Sequence, residues 1–300
     1  MALFFASHYG AANTVPIDPI STDGASATCS SNCPDDTEQA LDVEYAISMA
    51  PGLAQLQVYV GRNAEDVLNR MAADNTSKIL STSWGWQEHF ATDDALFQEF
   101  AMQGQTNLTA SGDYPSLRQA GPWPEEDANI TAVGGTSLTT HGAGGRWASE
   151  TAWPRSASGP SLDKSIQIAA YQLPFITAAN KGSTTLRNVS DLSAIAANQL
   201  ELCANGVCQG GYGGTSFASP IWAGFMALAN QNAASLGKPT LGWLNPLLYQ
   251  IAGNAALYPT AFHDVLHGKS GKFPATTGYD LVTGVGTPTG SGTIAALLNP

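Results

Sequence analysis

The chain has few charged residues, and basic residues are the scarcest. Asp and Glu number 24 against 12 Lys and Arg, so 12% of the 300 residues are charged and the net charge at pH 7 is −12. Soluble domains typically carry about 25% charged residues. The shortage of basic residues argues against nucleic acid and anionic membranes as partners, because a negative surface would repel both.

This low charge density suits an acidic environment. Near pH 4 about half of the carboxyl groups would be protonated, since their ordinary pKa values are about 3.9–4.3. Self-repulsion would then be small, and few ion pairs could be lost on acidification. An ordinary acidic protein has the same composition, so this interpretation stays open.

Long apolar runs and basic leader segments are also absent. The sequence contains no stretch of the length needed to span a membrane, and its first ten residues lack the basic region of a signal peptide. We therefore expect no membrane partner for residues 1–300.

Cysteine is scarce, and its four residues form two close pairs, Cys29/Cys33 and Cys203/Cys208. Neither pair has histidines at zinc-ligand spacing, and neither spacing is that of a redox motif. Two short disulfide loops in an exported protein fit the pattern, with free buried thiols as the alternative. The disulfide interpretation predicts a secreted protein, or one in an acidic compartment.

Strand-like and helix-like segments alternate through the first half of the chain. The predicted strands cover 55–61, 78–85, 106–113 and 129–138, and the helices between them cover 64–74 and 93–104. This alternation predicts an α/β fold with a mostly parallel, doubly wound sheet and helices on both faces. No repeat or linker divides residues 1–300, so we predict a single domain. Functional residues of such folds collect at the carboxyl ends of strands, where Ser83 and Asp113 lie.

The segment GGTSFASP, residues 213–220, indicates a nucleophile. Two glycines and a threonine place Ser216 directly before an apolar run that predicts a buried helix over 216–230. Pro220 falls in the expected first turn of that helix, where a missing N–H is tolerated. A serine at such a strand-to-helix turn needs a base to take its proton.

A histidine base is hard to find in this sequence. The five histidines are His8, His89, His141, His263 and His267. None lies on an amphipathic helix beside small residues, and we interpret each as a surface residue.

Carboxylates offer another base. A helix predicted over 34–52 carries Glu38 and Asp42 at positions i and i+4, on one face. Neighbouring carboxylates raise one another's pKa, so such a pair can hold and pass a proton. The alternative for the pair alone is a solvated acidic face.

Taken together, these motifs resemble the sedolisin family of serine-carboxyl peptidases. The resemblance rests on GTSFASP, which fits the family signature G-T-S-x3-P, and on the E-x3-D helix, STSWGWQE, ASGD and TAVGGTSL in the same order. It covers most of the chain. It implies a subtilisin-like α/β fold and hydrolysis of peptide bonds at acid pH.

The resemblance also implies roles for four residues. Ser216 matches the nucleophile, and Glu38 matches the general base. Asp42 matches the carboxylate that orients Glu38, and Asp113 matches the aspartate that lines the oxyanion hole. Asp113 must be protonated to donate a hydrogen bond to an oxyanion, which agrees with an acidic working pH. The family usually has Ser-Gly after this aspartate, whereas this chain has Tyr-Pro, which predicts a reshaped cleft.

The segment 262–288 resembles the calcium loop at the carboxyl end of the family's catalytic domain. The resemblance implies one structural Ca²⁺ held by oxygen ligands. The implied ligands are the side chains of Asp264 and Asp280 and the main-chain carbonyls of Val265, Thr276 and Gly278. Thr276 stands where the family commonly has glycine, and a β-branched residue has a narrower range of conformations.

Further expectations follow from the same resemblance. It implies protein or peptide substrates, a monomer, and a precursor with an N-terminal prodomain. Family catalytic domains begin with an apolar strand inside the sheet, ahead of the segment that corresponds to residues 4–17. We therefore expect residues 1–300 to be one peptidase domain that lacks the prodomain and this inner strand.

Two other functions stay open. A retaining glycosidase would use two carboxyls about 5 Å apart, from different strands, and it would not need the Gly-Thr-Ser turn. A truncated or inactive secreted pseudoprotease would bind calcium and peptides without cleaving them. The catalytic positions disfavour this second alternative, while the expected lack of an inner strand favours it.

Overall fold

The computed structural model describes residues 2–26, 36–86, 89–115, 117 and 124–300. The helices are α1 (Ala2–Tyr9), α2 (Thr37–Met49), α3 (Ala64–Asp74), α4 (Ala91–Met102), α5 (Thr215–Ser235), α6 (Asn245–Gly253), α7 (Tyr258–Ala261) and α8 (Ser291–Leu298), with a 3₁₀ helix at Leu173–Phe175. The strands of the first half are β1 (Ile17–Ser21), β2 (Leu56–Val60), β3 (Ile79–Thr82), β4 (Thr106–Ala110), β5 (Thr131–Thr140) and β6 (Trp147–Ala152). The later strands are β7 (Gly159–Pro160), β8 (Asn188–Val189), β9 (Leu192–Ile195), β10 (Leu200–Ala204), β11 (Val207–Tyr212), β12 (Phe262–His263), β13 (Lys269–Ser270), β14 (Phe273–Pro274) and β15 (Thr287–Pro288).

The main sheet is mostly parallel, as predicted. Strands β3, β4, β5 and β9 are parallel neighbours in that order, with Ile79 opposite Thr106 and Val133 opposite Leu192. The second half of β5 pairs with β6 in the antiparallel direction. Because these four strands run in the same direction, their carboxyl ends lie on one edge of the sheet.

Helices cover both faces of this sheet. Successive residues of a strand point to opposite faces, so β3 shows which helices lie where. Leu80 packs with α3 and α4 in one buried cluster, whereas the Ser81 hydroxyl lies 2.9 Å from the Ser219 hydroxyl of α5. The predicted α/β fold with helices on both faces is therefore confirmed.

Helix α5 lies at the centre of the domain, as its uniformly apolar sequence predicts. Trp222 and Met226 have no exposed surface, and the Trp222 indole N–H donates to the Ser193 carbonyl of β9 at 2.8 Å. The helix begins at Thr215, so Pro220 is its sixth residue and lies beyond the first turn in which we expected it.

Helix α2 packs closely against α5, and a glycine allows this. A Cβ atom on Gly224 of α5 would lie 2.5 Å from the Ala46 carbonyl oxygen and 2.7 Å from the Met49 Cβ atom of α2. Any side chain at position 224 would therefore push the two helices apart. This contact sets the distance between the residues that α2 and α5 carry.

Strands β1 and β2 form a separate parallel sheet, with Ile17 opposite Leu56 and Ser21 opposite Val60. Among the described residues, β2 pairs only with β1, and β3 pairs only with β4. A cavity of about 570 Å³ separates β2 from β3, and residues 56–61 and 79–82 line its two sides. Side chains of α2 and α5, and of α3 and α4, also line the cavity. Two strand edges thus face a shared, largely apolar gap.

One predicted disulfide is present. Cys203 in β10 and Cys208 in β11 lie opposite each other in an antiparallel hairpin and are joined by a disulfide bond. The other predicted pair, Cys29 and Cys33, lies outside the described residues. In the described part of the chain, none of the helices has both the length and the apolar character that crossing a membrane requires.

Candidate active site

Ser216 is the second residue of α5, and Asp113 is held against the start of the same helix. The Thr215 N–H donates to Asp113 Oδ1 at 2.7 Å, and the Thr215 hydroxyl donates to the same oxygen at 3.0 Å. A Cβ atom on Gly214 would lie 2.8 Å from Asp113 Oδ2. The glycine of the Gly-Thr-Ser turn therefore makes room for this carboxyl.

Glu38, on α2, interacts with the side chain of Ser216. Burial raises the pKa of Glu38, and the negative charge of Asp113 raises it further. Hydrogen bonds from the Ser216 and Ser83 side chains lower the pKa. The net pKa is above its ordinary value. Within the described part of the chain, Glu38 Oε1 is buried without a hydrogen-bond partner.

Asp42 lies one helical turn further along α2 and is half-buried. Burial raises its pKa well above the ordinary value, and a hydrogen bond from Ser83 acts in the opposite direction. The Ser83 hydroxyl lies 2.5 Å from Asp42 Oδ1 and 3.0 Å from the Ser216 carbonyl oxygen. Asp42 interacts with Glu38 through its charge, while the hydrogen bond of its carboxyl goes to Ser83.

Pro220 explains why Ser83 can reach the main chain of Ser216. In a helix the N–H of residue 220 would donate to the carbonyl of residue 216, and proline has no N–H. The Ser83 hydroxyl takes that position. Because a hydroxyl has one hydrogen, a protonated Asp42 would donate to Ser83 Oγ, and Ser83 would donate to the Ser216 carbonyl.

A cleft of about 220 Å³ opens beside the nucleophile. Ser216, Asp113, Ser83, Trp84, Tyr114 and Glu125 contribute to its wall. The sequence predicts Ser83 at the carboxyl end of a strand but indicates no contact for it. Glu125 was not predicted, since no motif around this residue indicates a position near Ser216.

Histidines lie elsewhere. All five are among the described residues, and none of them lines the cleft. His89 contacts the carboxylates of Asp94 and Asp163, and His263 stacks on the ring of Trp147.

The C-terminal loop brings its two acidic residues together around Tyr258, whose pKa is raised by burial and then by the charges of Asp264 and Asp280. Asp264 Oδ2 accepts from the Gly278 N–H at 3.0 Å. Asp280 is fully buried and accepts from the N–H groups of Thr276, Val282 and Thr283 at 2.8–3.1 Å. Burial raises the pKa of Asp280 to about 7.

The donor chemistry of this loop fits a hard divalent cation. In the part of the chain that the structure describes, neither Asp264 nor Asp280 forms an ion pair with a basic side chain. The two acidic side chains and the main-chain carbonyls beside them offer oxygen ligands, which calcium prefers. Gly278 adopts φ +75°, a conformation that favours glycine.

The three active-site carboxyls predict an unusual dependence of stability on pH. Burial raises the pKa of Glu38, Asp42 and Asp113. The folded protein therefore keeps protons that the unfolded chain has already released. This contribution to stability is complete below a pH of about 4 and is lost as the pH rises through the raised values. We expect the Tm to be higher at about pH 4 than at about pH 7.

Asp42→Asn is the matched test, because it removes the carboxyl charge while keeping nearly the same shape. Between about pH 4 and about pH 7, the Tm of the variant should fall less than the Tm of the wild-type protein, as measured by calorimetry. A wild-type Tm that rises from pH 4 to pH 7 would contradict the prediction.

Several known proteins resemble this chain in sequence. The chain is 32% identical to kumamolisin from Bacillus sp. (strain MN-32) over 93% of its own length and 54% of that protein. It is 31% identical to sedolisin from Pseudomonas sp. (strain 101), over 73% of this chain and 40% of that protein. The chain thus spans about half, or less, of the length of these relatives. No model of a protein family matches the sequence.

The fold of this chain also matches solved structures of peptidases. Pseudomonas sedolisin, a serine-carboxyl proteinase complexed with two molecules of pseudo-iodotyrostatin, superposes with a TM-score of 0.82 and 26% identity. The match covers 98% of this chain and 87% of that one. The protease domain of PatA, at 14% identity and a TM-score of 0.58, shares the fold alone. With its relatives and its fold in agreement, the chain belongs to the sedolisin family of serine-carboxyl peptidases.

Proposed function

We propose that this chain is the catalytic domain of an acid-acting serine-carboxyl peptidase that cleaves protein or peptide substrates. The observation that carries the proposal is the hydrogen bond of the Ser216 side chain with the half-buried Glu38, next to Asp113, which accepts from Thr215 at the start of α5. A nucleophile, a base that bonds to it and an acid beside it are the parts that acyl transfer needs.

In the proposed reaction, Glu38 takes the proton of Ser216 Oγ as this oxygen attacks the peptide carbonyl carbon. Asp113 Oδ1 already accepts two hydrogen bonds from Thr215, so its own proton resides on Oδ2 and can stabilise the oxyanion. The C–N bond then breaks, and Glu38 returns the proton to the leaving amine. Water hydrolyses the acyl-enzyme by the same steps in reverse.

Asp42 and Ser83 hold this arrangement in place. Asp42 stays protonated at acid pH because it is buried, and its bond to Ser83 connects α2 to the main chain of Ser216. The pair thereby fixes α2 relative to the nucleophile. At higher pH the ionised carboxyls would repel one another, which agrees with an acidic working range.

Substitutions at the two reacting groups test the peptidase proposal. Ser216→Ala and Glu38→Gln should each lower kcat on a denatured protein substrate near pH 4 by at least about 10³-fold, because each removes a group of one catalytic unit. His141→Ala is the control and should retain activity, since His141 lies outside the cleft. Full activity of Glu38→Gln would show that another group takes the proton. A wild-type protein that binds peptides without cleaving them would favour the pseudoprotease.

We also propose that the sheet is completed by an apolar strand that none of the described residues supplies. Strands β2 and β3 are parallel to their partners and, within the described part of the chain, present unpaired edges to one cavity of about 570 Å³. Unpaired main-chain groups and an empty apolar space are both unfavourable. A strand between them would join both sheets.

This proposal predicts that residues 1–300 alone are marginally stable. Fusion of an apolar strand of about seven residues ahead of α1, through a flexible linker, should raise the Tm and the peptidase activity. The matched control carries the same linker with a strand of alternating lysines, which the apolar cavity would reject. An equal, cooperative Tm for the unfused chain and both fusions would contradict the proposal without bearing on the catalytic residues.

For the C-terminal loop we propose one structural Ca²⁺. Asp264 and Asp280 would hold it together with the carbonyls of Val265, Thr276 and Gly278. The bound ion would supply positive charge to two acidic side chains that have no basic partner within the described residues. Its role would be to stabilise the loop and not to take part in the reaction.

Removal of calcium should lower stability. We expect EDTA to lower the Tm and added Ca²⁺ to restore it, whereas Mg²⁺ should restore it poorly because it requires a smaller, regular octahedral site. Asp264→Asn should abolish the response to Ca²⁺, while Asp66→Asn, on the exposed face of α3, should leave it intact. A Tm that does not respond to EDTA or Ca²⁺ would exclude the site.

The remaining parts of the proposal concern the whole protein. We propose a monomer that is exported or works in an acidic compartment, from a precursor with a prodomain. The Cys203–Cys208 disulfide supports an oxidising environment, and the raised carboxyl pKa values support an acidic one.

A further inference from the structure

The cleft beside Ser216 contains a carboxyl that the proposed reaction does not use. Glu125 lines this cleft together with Ser216 and Asp113, and only 1% of its surface is exposed. Glutamate is rarely buried to this degree without a partner. Its position therefore needs a physical explanation.

Glu125 has an unsatisfied oxygen. Within the described residues, Glu125 Oε1 is buried and has no hydrogen-bond partner, and no Lys or Arg forms an ion pair with the carboxyl. Burial raises the pKa of Glu125 well above its ordinary value, and the nearby Glu126 adds to the rise. An unpartnered buried carboxyl is unfavourable, so a ligand group that binds this oxygen would gain the interaction that the protein itself does not make.

Two aromatic residues lie at the more exposed part of the same cleft. Trp84 is 52% exposed and Tyr114 is 50% exposed, in contrast to the buried Glu125. The exposed part of the cleft is therefore aromatic, and its buried part is acidic. A lysine or arginine side chain is complementary to these two parts. Its apolar stem can pack on the aromatic rings, and its cationic end can pair with the buried carboxylate.

The charges around the cleft also favour a cation. Asp113 and Glu38 add two more carboxyls near Ser216. The nearby Arg155 donates to the main-chain oxygen of Asp113 at 3.3 Å and lies on the exposed side, so it leaves Glu125 available. A negatively charged substrate side chain would meet the carboxyls of Asp113 and Glu125 in this cleft.

We propose that Glu125 is a specificity-determining residue that selects a lysine or arginine side chain beside the scissile bond. The inference rests on the proposed peptidase function and names its substrate class. Pairing with the cation would favour the ionised carboxylate, and the displaced proton would pass to solvent. A charge-assisted hydrogen bond of this kind contributes about 1.5–3 kcal/mol, which corresponds to a preference of about 10- to 150-fold.

The test compares peptides that differ in one side chain, which is either arginine or citrulline. Arginine and citrulline have nearly the same shape, but citrulline is neutral. Each would be placed on either side of the cleaved bond in otherwise identical peptides, and kcat/KM would be measured at about pH 5 and again at about pH 7, because burial raises the pKa of Glu125 and a higher pH favours its ionised form. For one of the two positions we expect arginine to be preferred at least about tenfold.

Glu125→Gln should bring this ratio close to one, because the amide keeps the shape and loses the charge. Glu126→Gln is the matched control. Glu126 is equally buried, but its carboxyl is bonded to the Ser161 hydroxyl and does not line the cleft, so the ratio should persist. The ratio does not depend on how much of a variant is folded. An unchanged ratio in Glu125→Gln, or equal rates for arginine and citrulline in the wild-type protein, would overturn the inference.

A binding experiment separates this inference from the proposed function. Fluorescence anisotropy with Ser216→Ala would measure the affinity of the same labelled peptides without cleavage. Tighter binding of the arginine peptide, abolished by adding Glu125→Gln, would support the acidic subsite even if the wild-type protein cleaved neither peptide. Equal affinities for both peptides would overturn the subsite whatever the activity. If Glu125→Gln does not fold, the arginine-to-citrulline comparison in the wild-type protein and Ser216→Ala decides the question alone.

Discussion

The close contact between α2 and α5 is the constraint on which the site depends. One helix carries Glu38 and Asp42, and the other begins beside Ser216. The glycine at position 224 lets the α2 main chain approach to a distance that a Cβ atom would forbid. Proton transfer needs groups within hydrogen-bond reach. A small displacement of either helix would therefore separate the carboxyl from the hydroxyl while leaving both helices intact.

Burial of carboxyls without cations is the second feature that unites the structure. Asp42 is half-buried, Glu125 and Asp280 are buried, and all three have raised pKa values, because an ionised carboxylate is poorly solvated in the interior. The contrast is Asp191, which is also buried but bonds to the fully buried Arg187 at 2.5 Å. Among the described residues, Asp42, Glu125 and Asp280 form no ion pair with a basic side chain. The scarcity of Lys and Arg leaves these carboxyls without a cation, so their pKa values stay raised and favour the protonated form at acid pH.

Much of the fold follows from local sequence patterns. The predicted strand at 106–113 is β4, and the predicted helix at 64–74 is α3 with the same bounds. The apolar segment after Ser216 forms the central helix, although it continues to Ser235. The antiparallel pairing of β6 with the end of β5 was not predicted, because a strand's partner depends on residues far away in the chain.

The sequence by itself determined the order of the motifs, the placement of Glu38 and Asp42 on one helical face, and the glycine-supported turn at Ser216. These are local properties, set by the helical repeat and by the conformational freedom of glycine. Only the tertiary structure decided that Ser83 joins Asp42 to the Ser216 carbonyl, that a gap separates β2 from β3, and that Glu125 lines the cleft. Each of these depends on contacts between segments that are distant along the chain, and such contacts are fixed by packing of the whole domain and not by local spacing.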